Sequence, residues 1–202
     1  MDTEQVTPEP ESKLTCITSN VPNDNMPTLG TFEESCRRYG QPVLNSLQGK
    51  TKYLSIHKLT TAAKLVDRVG TEFVLISDSA DSVFVRSPRQ LLADYQRHFT
   101  AEAVFIAVGD GGENRHRAFE RYVPGAWRYE RRSPGSGTFI GRTTFLRQFL
   151  NRAVELIERG KTDMHPIRLA WQEFYPKAVV DYESILFRVV RNWEQISFQI
   201  GQ

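Results

Sequence analysis

The residues best placed to do chemistry are Asp78 and Asp81. They follow Phe73-Val-Leu-Ile76, a continuous run of β-forming apolar residues. Such a run is the pattern of a strand covered on both faces. It breaks at Ser77-Asp-Ser-Ala-Asp81, so both carboxylates are expected just past the carboxyl end of a central strand. Open α/β sheets bind ligands in the crevice at that edge. Two carboxylates there suit a hard divalent cation, Mg²⁺ or Mn²⁺, which takes oxygen ligands and often bridges protein to phosphate. The same Asp-x-x-Asp spacing also serves a helix N-cap or an Asx turn, in which the side chains accept backbone N–H groups.

Asp110 and Glu113 follow a second apolar run, Ala103-Val-Phe-Ile-Ala-Val108. By the same reasoning they belong at the same edge of the sheet, beside the Asp78/Asp81 cleft. The stretch 115–132 carries many arginines, with Phe119, Tyr122, Trp127 and Tyr129 between them. Stacking and charge of that kind suit an acceptor groove, and half-buried aromatics beneath a loop leave the same pattern. His57, His98, His116 and His165 show no metal-ligand spacing. Cys16 and Cys36 make neither a disulfide framework nor a zinc site.

The elements that must position these groups can be read from periodicity and punctuation. Residues 1–12 are polar, with two prolines, and are expected to form a loose tail. Lys13 to Thr18 alternates and predicts a first strand. Ser19 to Pro27 reads as a loop that could carry ligand contacts or simply connect. Thr31 with Glu34 three residues on is a capping box, so a helix is expected from Thr31, stopping at Gly40. Pro42 to Leu47 predicts a short strand. Apolar positions 59, 62, 65, 66 and 69 predict a helix from Lys58, closed by Gly70. Ser87-Pro88 opens another helix, to His98. Pro134 to Gly141 reads as a glycine-rich turn entering a short strand. A helix is expected over residues 143–160 and another from Ile167 to Tyr175. Short strands are expected at 179–181 and 185–190. The β, α, β, α alternation indicates an α/β sandwich with a mainly parallel sheet between helices.

The chain has 202 residues, 40% of them hydrophobic. That suits a single domain over residues 13–202 with a sizeable core. With 26 basic and 24 acidic residues the net charge is +2, which by itself neither favours nor excludes a nucleic-acid partner. No run is long and apolar enough for a membrane span. The acidic N-terminal stretch lacks the apolar core of a signal peptide, and a cytoplasmic location is the expectation.

In this order the landmarks resemble the glycosyltransferase domain of procollagen lysyl hydroxylases and procollagen glucosyl/galactosyltransferases, nucleotide-sugar enzymes of the GT-A fold. The matching pieces are Leu14 to Thr18, Lys58, Asp78-Ser-Ala-Asp-Ser-Val83 and Phe105-Ile-Ala-Val108. Gly135-Ser-Gly-Thr-Phe-Ile-Gly141, Trp171-Gln-Glu-Phe-Tyr175 and Val180-Asp181 with Leu186-Phe187-Arg188 complete the set. The resemblance covers residues 13 to 188. It implies a GT-A-like, Rossmann-like domain that moves a sugar from a nucleotide-sugar donor, a UDP-sugar in particular, to a hydroxyl acceptor.

Carried onto this chain, the resemblance makes Asp78 and Asp81 ligands of Mn²⁺ or Mg²⁺. It makes Lys58 a phosphate-neutralising cation, and Ser136 and Gly137 a backbone that approaches the sugar. Gln172 would hydrogen-bond sugar hydroxyls. The pattern departs in places. Gly135 stands for an asparagine, Ala170-Trp171 for an acidic pair, and no histidine follows His165. With that acidic pair replaced, Asp110 and Glu113 are the carboxylates left to assist transfer. The acceptor is open between a hydroxylysyl protein and, in a microbial or viral setting, a hydroxymethylated DNA base met by the 115–132 stretch. A different class of function is a non-catalytic GT-A-like binding or scaffolding protein.

Overall fold

The computed structural model of the chain describes residues 13–21, 31–50, 54–109, 122–123, 125, 128–191 and 196–200. Five strands and three helices alternate through the first half: β1 (Leu14–Ser19), α1 (Thr31–Arg38), β2 (Val43–Asn45), α2 (Ser55–Val66), β3 (Phe73–Asp78), β4 (Ser82–Phe84), α3 (Pro88–His98) and β5 (Ala103–Val108). Then come β6 (Ser133–Arg142), α4 (Thr143–Glu155), α5 (Met164–Phe174), β7 (Ala178–Asp181), β8 (Phe187–Arg191) and β9 (Ile196–Ile200).

The main sheet has six strands in the order β2-β1-β3-β6-β5-β7. All its pairings are parallel except those of β6, which runs antiparallel to both β3 and β5. A second sheet, β4-β9-β8, has three strands.

Strand alternation explains why the β3 run is apolar without a break. Val74 and Ile76 face α2, α4 and α5, packed with Leu59, Ala62, Leu146 and Phe149. Phe73 and Leu75 face the other way, against Phe32, Leu91, Tyr95 and Ile200. A strand covered on both sides has no polar face to offer. Phe105 anchors the first layer, its ring 4.8 Å from Phe139 and 5.0 Å from Phe149. Ser87 caps α3, its hydroxyl accepting from the Gln90 amide at 3.2 Å, with Pro88 at the first helical position, as the sequence predicts.

Several boundaries differ from expectation. The glycine-rich segment is no turn leading into a short strand: it is part of β6, ten residues long and central. Its glycines buy nothing in β-propensity, but they allow close approach. A Cβ on Gly141 would lie 2.7 Å from the Glu102 carbonyl and 2.8 Å from Ala103 Cβ. The pairing of β5 with β6 also shifts register between Phe105 and Ala107, a bulge that re-aims the segment from Gly135 to Gly137. Helix α2 starts at Ser55, ahead of Lys58. Helix α4 ends at Glu155, short of Gly160, and α5 begins at Met164 rather than Ile167. The strands β4 and β9 were not expected. The architecture is a Rossmann-like α/β sandwich, a mostly parallel six-stranded sheet flanked by helices. Among the described residues no helix is long and apolar enough to cross a membrane.

Candidate functional site

At one level of the sheet the strands change from apolar to polar residues together. Ile17, Ile76 and Phe139 are neighbours across β1, β3 and β6. One step further toward the carboxyl ends of β1 and β3 the neighbours are Thr18, Ser77 and Thr138. These hydroxyls are buried and satisfy one another. The Thr18 hydroxyl donates to the Ser77 carbonyl at 2.9 Å, and Ser77 Oγ lies 2.9 Å from Thr138 Oγ1. A step beyond, Ser19 pairs with Asp78. The polar layer thus marks the carboxyl edge of β1 and β3, with its hydroxyls on the Phe73/Leu75 face and Asp78, the next residue, on the opposite face.

Asp78 points to the α2/α5 side of the sheet and accepts a short hydrogen bond from the Lys58 ammonium on Oδ1. Lys58 is buried in the first turns of α2. On its other side stands Asp163, with Oδ2 at 3.6 Å from Nζ. Gly137 covers the second oxygen of Asp78: a Cβ there would lie 2.8 Å from Oδ2. Ser136, Lys58 and Asp163 line a small cavity of about 10 Å³ beneath. Burial raises the Asp78 carboxyl above its ordinary range, the ammonium of Lys58 pulls it back, and the charge of Asp163 pushes the same way as burial.

Asp81 stands beside this group. Burial first, and then the charge of Asp78, push its carboxyl up to about 6. Its Oδ1 is buried and has no hydrogen-bond partner among the described residues. The turn that carries both acids is fastened to α1. The Phe32 amide donates to the Ser79 carbonyl at 3.0 Å, and the Ser79 hydroxyl donates to Glu33 Oε2 at 2.6 Å. A backbone hydrogen bond also reaches the Asp81 carboxylate, which fits the turn role as well, and leaves Oδ1 as the unpartnered oxygen among the described residues.

The N-termini of three helices meet here: α1 at Ser79, α2 through Lys58, and α5 through its flanking residue Asp163. Each helix start carries a partial positive charge, which favours anions. Asp81 lies near enough to Asp78 to feel its charge, and carboxylate oxygens are the ligands a divalent cation takes. Among the described residues no group of three His, Cys, Asp or Glu is arranged to hold a metal.

Of the residues picked out from sequence, the structure gathers Lys58, Asp78, Asp81, Ser136 and Gly137. It does not bring Gln172 to them. Gln172 lies nine positions after Asp163, which at about 1.5 Å per residue puts it roughly 13 Å down α5, toward the far edge of the sheet. Asp110, Glu113 and Trp127 lie outside the described residues. Tyr129 stacks on Tyr182 with centroids 4.8 Å apart. Together with Glu130, Arg131 and Ser184 these rings line a separate pocket of about 100 Å³. Asp181 is fully engaged in structure: its oxygens accept from the amides of Ile185, Leu186 and Phe187 at 2.7–2.9 Å.

Two residues of the site escaped sequence reading. Asp163 sits in a polar turn, and only the packing of α5 against the sheet brings it to Lys58. Glu33 was overlooked beside Glu34, the capping-box residue; Glu34 is exposed and faces Arg37 at 3.7 Å, while Glu33 is buried. No protein-family model matches the chain, and comparison with curated proteins gives no significant match.

Proposed function

We propose that the crevice at the carboxyl edge of β3 binds the diphosphate of a nucleotide-sugar donor, with Mn²⁺ or Mg²⁺ held by Asp78 and Asp81, in a GT-A-like glycosyltransferase. The observation that carries the reading is the union, in one crevice, of a buried lysine, two carboxylates whose ionisation burial opposes, and three helix N-termini. A diphosphate needs cationic and N–H donors. A divalent cation needs oxygen ligands. Few other ligands call for both at once. Bound there, the cation would serve as a Lewis acid for the leaving diphosphate.

The protein's own groups then have defined tasks. Lys58 neutralises phosphate charge from below. Gly137, lacking a side chain, lets the donor approach the backbone over Asp78. The Ser79–Glu33 contact holds the Asp78–Asp81 turn in place before the donor arrives, which lowers the ordering cost of binding. The sugar is transferred to a hydroxyl acceptor.

One observation favours a second reading, a non-catalytic module that keeps donor binding. Ala170 and Trp171, standing where the resemblance has an acidic pair, are both 0% exposed. Trp171 packs edge-on against Tyr122 at 5.9 Å. No acid can be supplied from that position. The test is release of nucleoside diphosphate from a panel of UDP-sugars with Mn²⁺ and acceptors including hydroxylysyl peptides and hydroxymethylated DNA. Release that depends on the acceptor supports the transferase. Donor binding without release supports the binding module, and neither binding nor release refutes both.

A further inference from the structure

We infer that the groove between α1 and the edge strand β2 is a second binding site, built for a free α-amino acid whose ammonium meets Glu33 and whose carboxylate meets Arg37. Its wall residue Thr18 belongs to the same face of the sheet as Cys16, packed with Phe32 and Cys36 of α1. Asp78 points to the opposite face, so the site stands whatever ligand the β3 crevice takes.

A cavity of about 610 Å³ opens in this groove, lined by Thr18, Glu33, Arg37, Pro42, Val43 and Asn45. Sites for small molecules run to about 300–1,000 Å³. Glu33 gives the cavity its chemistry. The residue is only 7% exposed, and its Oε2 accepts from the Ser79 hydroxyl at 2.6 Å. Among the described residues Oε1 has no hydrogen-bond or ion-pair partner. A buried carboxylate with an open oxygen calls for a charged N–H donor.

Arg37 stands one turn further along α1, at the i+4 position, where Cβ atoms lie about 5–6 Å apart. Such a Glu and Arg usually pair with each other. Here Ser79 holds Glu33, and Arg37 lies 3.7 Å from Glu34 instead, with those side chains 71% and 59% exposed. An ion pair that open to solvent holds the guanidinium weakly, so a ligand carboxylate can take it. Opposite charges therefore line one cavity without neutralising each other. A simple anion would meet Glu33, and a simple amine would meet Arg37. An α-amino acid carries ammonium and carboxylate on one carbon and satisfies both. Beyond this head, Pro42 and Val43 offer apolar contact. A Cβ on Gly40 would meet nothing within 4 Å, which leaves room for a long side chain.

The experiment is calorimetric titration of the full chain at neutral pH with each of the twenty L-amino acids in turn. The tightest binder is then tested as its N-acetyl derivative and as its carboxamide. It is also titrated into Glu33→Gln and Arg37→Met. Gln keeps an oxygen for the Ser79 hydroxyl but not the charge, and Arg37 is exposed, so both variants are expected to fold. Melting of each protein checks this.

At least one amino acid with a long side chain should bind with a Kd below about 1 mM. Blocking either end of it should weaken binding about tenfold or more, and so should each variant, about 1.4 kcal/mol per tenfold. Failure of all twenty to bind below about 1 mM overturns the inference. So does binding of either blocked form as tight as that of the free amino acid. A loss in one variant with none in the other also overturns it, since the ligand head would then not span both charges.

Discussion

Lys58→Met removes the ammonium that is bonded to Asp78, lies 3.6 Å from Asp163 and acts on Asp81. Met is close to Lys in length and fits the apolar part of the lining, Leu59, Ala62 and Ile76, so little packing is lost. What changes is charge. Asp78 is left to the charges of Asp163 and Asp81, and Asp78 and Asp81 already ionise against burial. Removing one partner of a buried pair typically costs about 3–5 kcal/mol. The Asp78 side chain keeps 29% of its surface, so solvent screening brings the expectation down to about 2–3 kcal/mol. For a domain of this size each kcal/mol moves Tm by roughly 2–4 °C, giving a fall of roughly 4–12 °C. The assay is calorimetric melting at neutral pH in EDTA. Adding Asp78→Asn to Lys58→Met should recover part of the loss, because it removes the stranded charge. A Lys58→Met protein as stable as wild type in EDTA would refute the reasoning, for the ammonium would then not be balancing the acids.

Gly137→Ala should leave the sheet intact but displace the Asp78 carboxylate, since the new Cβ falls 2.8 Å from Oδ2. Mn²⁺ affinity is expected to drop about tenfold with less than about 1 kcal/mol lost in stability, and unchanged Mn²⁺ binding would contradict it. The Asp81 carboxyl titrates at about 6, so it is ionised above that pH and protonated below. Mn²⁺ affinity should therefore fall as pH drops through about 6, and affinity held constant down to pH 4 would count against Asp81 as a ligand. The Tyr95 phenol, which donates to the Ala101 carbonyl at 2.6 Å, is pushed by burial up to about 12, above the ordinary phenol value of about 10. Its folded-state pKa is raised, so its contribution is complete below pH 10 and lost as pH rises toward 12. That loss amounts to about 2–3 kcal/mol. Tyr95→Phe should flatten stability against pH in that window, and an unaltered alkaline slope would exclude Tyr95 as its source.

The part of the site that was legible in sequence is the part carried by a single local pattern. The apolar run from Phe73 to Ile76 ending in Asp78 announces both a covered strand and the edge where its ligand groups stand. Lys58 was legible through the resemblance and its place at the start of a helical period. Asp163 was not, because its tie to Lys58 depends on α5 returning to the sheet, and no local spacing encodes that. The central antiparallel β6 was hidden for a related reason. Pro134, Gly135 and Gly137 read locally as a turn, while their real constraint is close approach to β5 and Asp78. Gln172 failed on helical geometry: a motif match in chain order does not fix how far along a helix the residue stands. The second sheet depends on β4, three residues long, pairing with β9 far along the chain, a contact beyond any window of periodicity.

The most direct test of the crevice as a metal-assisted donor site is calorimetric titration of UDP and a set of UDP-sugars, with and without Mn²⁺, into wild type and an Asp78→Asn/Asp81→Asn variant. The titration should show binding to wild type only with Mn²⁺ present and none to the variant, whose folded state is verified by melting because Asp78→Asn also takes a partner from the buried Lys58. Equal binding by wild type and variant, or binding indifferent to Mn²⁺, would contradict it.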